Sequence, residues 1–173
     1  MKVACTAYVD NILHSVYYGN TKLDVIGDTK VYKEKKTFSF NMDQLSGEVN
    51  EIKLQVEDIQ KDNHCKNAGL ILLCKARDEN GKYVESNPWH NFVTSNTNGW
   101  RPSNEANPRQ TLCKAKTGYL NTGGPDKDPT VLGLLSAGAS VIWTRGRKYT
   151  KLIGSPESKG TVVSYSNENF SFK

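Results

Sequence analysis

At 173 residues with a 36% hydrophobic share, the chain is long enough to bury a core without cross-links, and one domain over 1–173 is expected. No apolar run approaches the ~20 residues that cross a bilayer as a helix. The net charge of +5 is spread among acidic residues, and its clusters (Lys33, Lys35 and Lys36; Arg145, Arg147, Lys148 and Lys151) carry no aromatic nucleic-acid signature, which argues against nucleic acid as a partner. A solvated sheet face accounts for them, with weak attraction to an acidic polysaccharide or a membrane surface left open.

In chain order the sequence reads as short Val/Ile/Leu/Tyr/Phe runs separated by Gly, Asn and Asp every 8–12 residues or so. Residues 2–9 form a first strand, and 12–18 and 22–26 pair as a hairpin about Gly19 and Asn20. In 35–40 the alternation puts Phe38 and Phe40 on one face; in 49–56 it turns Ile52, Leu54 and Val56 inward and Lys53 and Gln55 outward. Residues 69–74 are apolar on both faces, as in a covered central strand, and Asp78-Glu79-Asn80-Gly81 turns into a strand over 82–86. From about 87 to 129 runs a long irregular polar excursion, too long for a plain connector, so it packs as an ordered unit or carries function. Strands return at 139–144, 148–153, 160–165 and 168–172, while 131–135 allows one helical turn that Gly133 and Gly138 keep short. The pattern predicts an all-β antiparallel sandwich.

The cysteines Cys5, Cys65, Cys74 and Cys113 lack CxxC spacing, which argues against zinc. They read as two disulfides in any of three connectivities, or as buried thiols, since Cys74 sits in the apolar run GLILLCKA. The opening MKVACTAYV has no sustained apolar segment and does not read as a signal peptide, so a cytoplasmic protein and the mature form of an extracellular one both fit. The sequon Asn169-Phe170-Ser171 falls in the last predicted strand.

If consecutive strands alternate in direction, loops 9–11, 28–34, 57–67 and 87–91 share one end of the sandwich. That end would gather Asp10, Asn11, Asp28, Asp58, Asp62, Asn63, His64, Trp89, His90 and Asn91. Polar loops held at one end of a rigid sandwich are where binding usually resides.

Several segments together resemble the galactose-binding-like β-sandwich, a jelly roll of the discoidin and carbohydrate-binding-module type, in a divergent lectin-like branch. They are Tyr8-Val9-Asp10-Asn11 through Val16-Tyr17-Tyr18-Gly19-Asn20, Asn50 through Val56, Ala68 through Leu72, Trp89, Gly99-Trp100, and Ala139 through Trp143. The chain departs from that pattern at Gly27-Asp28-Thr29, where the usual tryptophan is missing, and in the polar insert after Trp100. The resemblance implies a jelly-roll fold and non-catalytic binding, often of glycans, with a structural calcium ion in many members.

Among candidate site residues, Trp143 in ASVIWT reads as core and Trp89 as a loop anchor or a contact residue. Trp100, in the turn-rich and exposed-looking stretch Asn96 to Arg101, reads either as a structural residue or as a ring that stacks on a sugar while Arg101 and Asn104 bond its hydroxyls. His64, His90 and Asn91 join it as ligand candidates. His64 beside Cys65 has nothing to orient it as a nucleophile's base, and no acid, base or nucleophile converges elsewhere, so no enzyme is expected. Asp126-Lys127-Asp128 lacks the glycine and terminal glutamate of an EF-hand. Asp10, Asp58 and Asp62 are the calcium candidates, with a solvated acidic rim as the other reading.

The functional expectation is an extracellular glycan-binding module whose partner is a carbohydrate or glycoprotein. Weak single sites would gain avidity through repeated copies or a homo-oligomer. The alternative is a structural or adhesive matrix protein that binds other proteins or surfaces.

Overall fold

The structure, a computed structural model, describes residues 1–42, 50–59, 64–103 and 111–156. Its elements are β1 (Lys2–Asp10), β2 (Ile12–Tyr18), β3 (Thr21–Lys22), β4 (Lys36–Asn41), β5 (Ile52–Glu57), α1 (His64–Asn67), β6 (Gly69–Arg77), β7 (Trp100–Ser103), β8 (Leu112–Lys114), α2 (Gly118–Thr122), α3 (Pro129–Ser136), β9 (Ile142–Thr144) and β10 (Tyr149–Gly154). Two antiparallel five-stranded sheets form a sandwich, the first in the order β4-β1-β6-β9-β8 and the second β3-β2-β5-β10-β7.

Side-chain alternation drives this architecture. In β1, Val3, Cys5, Ala7 and Val9 are buried at every second position; in β5, Ile52, Leu54 and Val56 are, while Lys53 and Gln55 are only half-buried. Each fully buried Val, Leu or Ile contributes about 1.5–3 kcal/mol. Cys5 lies directly opposite Cys74 in the β1–β6 ladder and is bonded to it, and Cys65 is bonded to Cys113. The open question of thiols against disulfides is thereby resolved as two cross-links.

Several strands differ from expectation. Strand 22–26 shrinks to Thr21–Lys22 plus an isolated bridge from Ile26 to Thr37. The Asp78–Gly81 turn forms, with Asp78 Oδ1 accepting the Asn80 and Lys82 amides, yet 82–86 is no strand: only Tyr83 bridges back, to Arg77. Among its described residues the excursion over 87–129 holds β7, β8 and α2, and strands 160–165 and 168–172 lie outside the described residues.

The single turn expected at 131–135 is a two-turn helix, α3. Pro129 presets its first turn and Asp128 Oδ1 accepts the Thr130 amide at 2.9 Å, which outweighs the cost of Gly133. Asp128 Oδ2 also accepts the Tyr119 hydroxyl at 2.5 Å, tying α2 to α3. That hydrogen bond holds the Asp128 carboxyl below its usual range, while burial and then the adjoining Asp128 push the Tyr119 hydroxyl up. Because the folded carboxyl is the stronger acid, its stabilisation is present above the unfolded value near 3.8 and fades as pH falls through the lower folded one. We expect Asp128→Asn to flatten the fall in thermal midpoint below about pH 4; parallel melting profiles of the two proteins would show the pair is not formed.

Candidate functional site

The ends of the sandwich are fixed by register. At the first end Asp10 pairs with Gly69 and Ile12 with Glu57, and the Leu13 amide donates to Thr29 O. Asp10 is buried there, with Oδ2 accepting the Thr117 hydroxyl at 2.6 Å. Burial pushes its pKa up, the Thr117 hydrogen bond opposes this, Asp58 adds to the rise, and Lys36 draws it down. Asp58 and Lys36 are fully buried too, and Lys36 Nζ donates to the Val31 carbonyl.

Asp10 thus interacts with the Asp58 carboxylate and with the Lys36 ammonium. Among the described residues, no three His, Cys, Asp or Glu side chains are grouped to hold a metal. Asp62 lies outside the described residues. His64 opens α1, and the sulfur of its neighbour Cys65 is bonded to Cys113, so the Cys65 thiol considered as a nucleophile is a cross-link.

Trp89, His90 and Asn91 sit at the opposite end from these carboxylates, against the expectation that all share one. The parity count included a strand at 82–86 that does not form, and each missing strand reverses the count. The chain instead runs back along β6: the Ala76 amide donates to His90 Nδ1 at 3.0 Å and the Asn91 amide to Cys74 O at 2.9 Å. The neutral imidazole of His90 therefore carries its proton on Nε2.

Trp100 requires a second correction. It is fully buried, and its indole N–H donates to Val93 O at 2.9 Å. Gly99, at φ +81°, turns the chain inward, and Gly154 opposite on β10 leaves room for the ring: a Cβ there would lie 2.7 Å from it. Trp89 is equally buried, so neither indole offers a face to solvent. Phe92 is the aromatic that reaches the surface, half-buried and stacked on Trp100 at 5.5 Å and 17°.

Around Phe92 lies a depression of about 380 Å³ lined by Pro88, His90, Asn91, Ser95 and Asn98. Asn91 is exposed at its rim, in the left-handed conformation at φ +64°. Two of the ligand candidates, His90 and Asn91, thus line one site, with Trp89 and Trp100 as the floor behind its ring. Arg101 lies elsewhere, on the outer face of the second sheet, paired with Glu51 at 3.5 Å, and Asn104 is outside the described residues.

A larger concavity, about 490 Å³, runs over the outer face of the second sheet. Its lining includes His14, Gln55, Tyr149 and Lys151, none of them among the ligand candidates, although Lys151 stood out in a basic cluster and Gln55 as outward. The signal was the polar alternation in 148–153, which marks outward positions without saying which strands lie alongside. No family model, curated protein or solved structure matches the chain.

Proposed function

We propose that this chain is a non-catalytic carbohydrate-binding module whose sugar site is the depression around Phe92. One observation carries the reading: hydrogen-bonding groups of Asn91, Asn98, Ser95 and His90 surround an aromatic ring that two buried tryptophans hold in place. A sugar presents an apolar ring face and a rim of hydroxyls, and a site with one aromatic platform and several amides meets both. The openness of such a site to water keeps single-site affinity weak, so repeated copies or self-association would supply avidity.

The compartment that fits is extracellular, because all four cysteines are paired and disulfides persist in oxidising surroundings. The fold that fits is a jelly roll of the galactose-binding-like kind: among the described strands, each follows its predecessor into the other sheet except at β2–β3 and β8–β9.

Asn91→Gly tests the site, since glycine keeps the left-handed backbone while deleting the amide. We expect a glycan array to show binding by the parent chain and titration to show about a tenfold loss in the variant, the worth of one good hydrogen bond. An array without a binder, or full affinity in the variant, would refute the proposal.

A further inference from the structure

We infer that the outer face of the second sheet is a separate site, which takes an anionic polysaccharide bearing sulfate or carboxylate groups. Residues opposite one another on neighbouring strands point the same way, so the register builds rows across this face. Ser103, Lys151, Gln55 and Ser15 form one, and Tyr149 and Glu57 another, about 7 Å along the strands. Arg101, Ile153, Lys53 and Tyr17 form a third. The groove is lined by His14, Gln55, Ser103, Arg147, Tyr149 and Lys151 among others, and no carboxylate is among its lining residues.

Charge and shape select the ligand. Lys151 has no acidic partner among the described residues, and neither has Lys53, whose ammonium lies 5.5 Å from the Tyr17 ring. Glu57 stands at the margin with its oxygens engaged by His14 at 2.8 Å and Lys148 at 3.8 Å. Tyr149 is 60% exposed, lies beside the His14 ring at 6.2 Å and 29°, and has the Lys148 ammonium 5.6 Å from its ring centre, a flat surface for a sugar ring next to a cation for its charged substituent.

Nucleic acid suits the face less well. A duplex carries a charge every ~1.7 Å and asks for an unbroken cationic stripe, and single strands ask for several stacking rings. Here Glu57 and Glu51 interrupt the cations, and the groove holds one exposed tyrosine. A flat anionic bilayer meets a concave face poorly. A polysaccharide spaces its charges ring by ring, as this groove spaces Lys151 from Tyr149.

The test measures binding of the whole chain to dextran sulfate, polygalacturonate, unmodified dextran, an oligonucleotide and anionic phospholipid vesicles. The expected result is binding to at least one of the two acidic polysaccharides that weakens as salt is raised, since exposed charges are screened. Dextran, the oligonucleotide and the vesicles should bind more weakly. Lys151→Gln should cost about tenfold, as loss of a hydrogen bond to a charged group does, Lys151→Glu should cost more, and Lys114→Gln on the edge of the first sheet should cost nothing.

The inference is overturned by no binding to either acidic polymer at low salt, by unchanged affinity in both Lys151 variants, or by an equal loss in Lys114→Gln. A preference for the oligonucleotide or the vesicles overturns it as well. The groove and the Phe92 depression share no lining residue, so Asn91→Gly leaves this binding intact and either site can fail without the other.

Discussion

Trp89→Ala is expected to cost about 3–5 kcal/mol of folding stability, the range for deleting a large aromatic from a packed core. The ring is fully buried and meets Phe40, Phe92 and Tyr18 edge-on, at 5.1, 5.0 and 6.2 Å. Its indole N–H donates to Asn50 Oδ1 at 3.0 Å, the same oxygen that accepts the Tyr18 hydroxyl at 2.7 Å. Truncation therefore opens a cavity and removes a donor from that amide oxygen. For a chain of this size the thermal midpoint should drop by about 6–20 °C, at 2–4 °C per kcal/mol.

Trp89→Phe keeps most of the apolar contact and loses the hydrogen bond, so it should cost less. Because Phe92 rests against Trp89, the alanine variant should also weaken the proposed sugar binding under conditions where it remains folded. A denaturant midpoint within error of the parent's would show that the ring is not the keystone of this end.

Strands whose burial repeats every second residue were legible in the sequence: 2–9, 12–18, 35–40 and 49–56 all lie in or overlap observed strands, and Phe38, Phe40, Ile52, Leu54 and Val56 are buried as expected; 69–74, apolar on both faces, likewise lies in β6. Period two is a local property and needs no knowledge of partners. The segment 82–86 has comparable composition but forms only a bridge at Tyr83, because the same edge of β6 is taken from Cys74 to Ala76 by His90, Asn91 and Phe92. That one missing strand moved Trp89, His90 and Asn91 to the wrong end.

Trp100 shows the same limit in a single residue. Its neighbours Asn96, Thr97, Asn98 and Gly99 look like surface, and locally they are, apart from the buried Gly99. The ring is buried because Gly154, 54 positions later, faces it without a side chain, and only the β7–β10 register reveals that pairing. The groove was hidden for the same reason: Lys151, Gln55 and Ser103 are each recognisable as outward, but their adjacency is a fact of topology.

Removing the Cys5–Cys74 bond, as Cys5→Ala with Cys74→Ala, is expected to lower stability by about 4 kcal/mol on loop-closure grounds, and Cys65–Cys113 by nearly as much. Sequence separations of 69 and 48 residues set these values, and their logarithm changes little between the two. Since a domain's whole stability is typically about 5–15 kcal/mol, losing both bonds should leave the chain largely unfolded at physiological temperature.

The two differ in access rather than in worth. Cys5 and Cys74 face the interior between the sheets and are 1% and 0% exposed, whereas Cys65 is only partly buried on the short helix α1. A thiolate must reach the sulfur it attacks, so a reductant acting on the native protein should open Cys65–Cys113 first. Cys5–Cys74 should follow only as fast as the sandwich itself opens, and its rate should rise with denaturant. Timed alkylation with peptide mapping reads the order directly. Early labelling of Cys5 and Cys74 in the absence of denaturant would mean that the interior between the sheets is not sealed. In that event the stability assigned to the aromatic floor under the proposed sugar site would have to come from elsewhere.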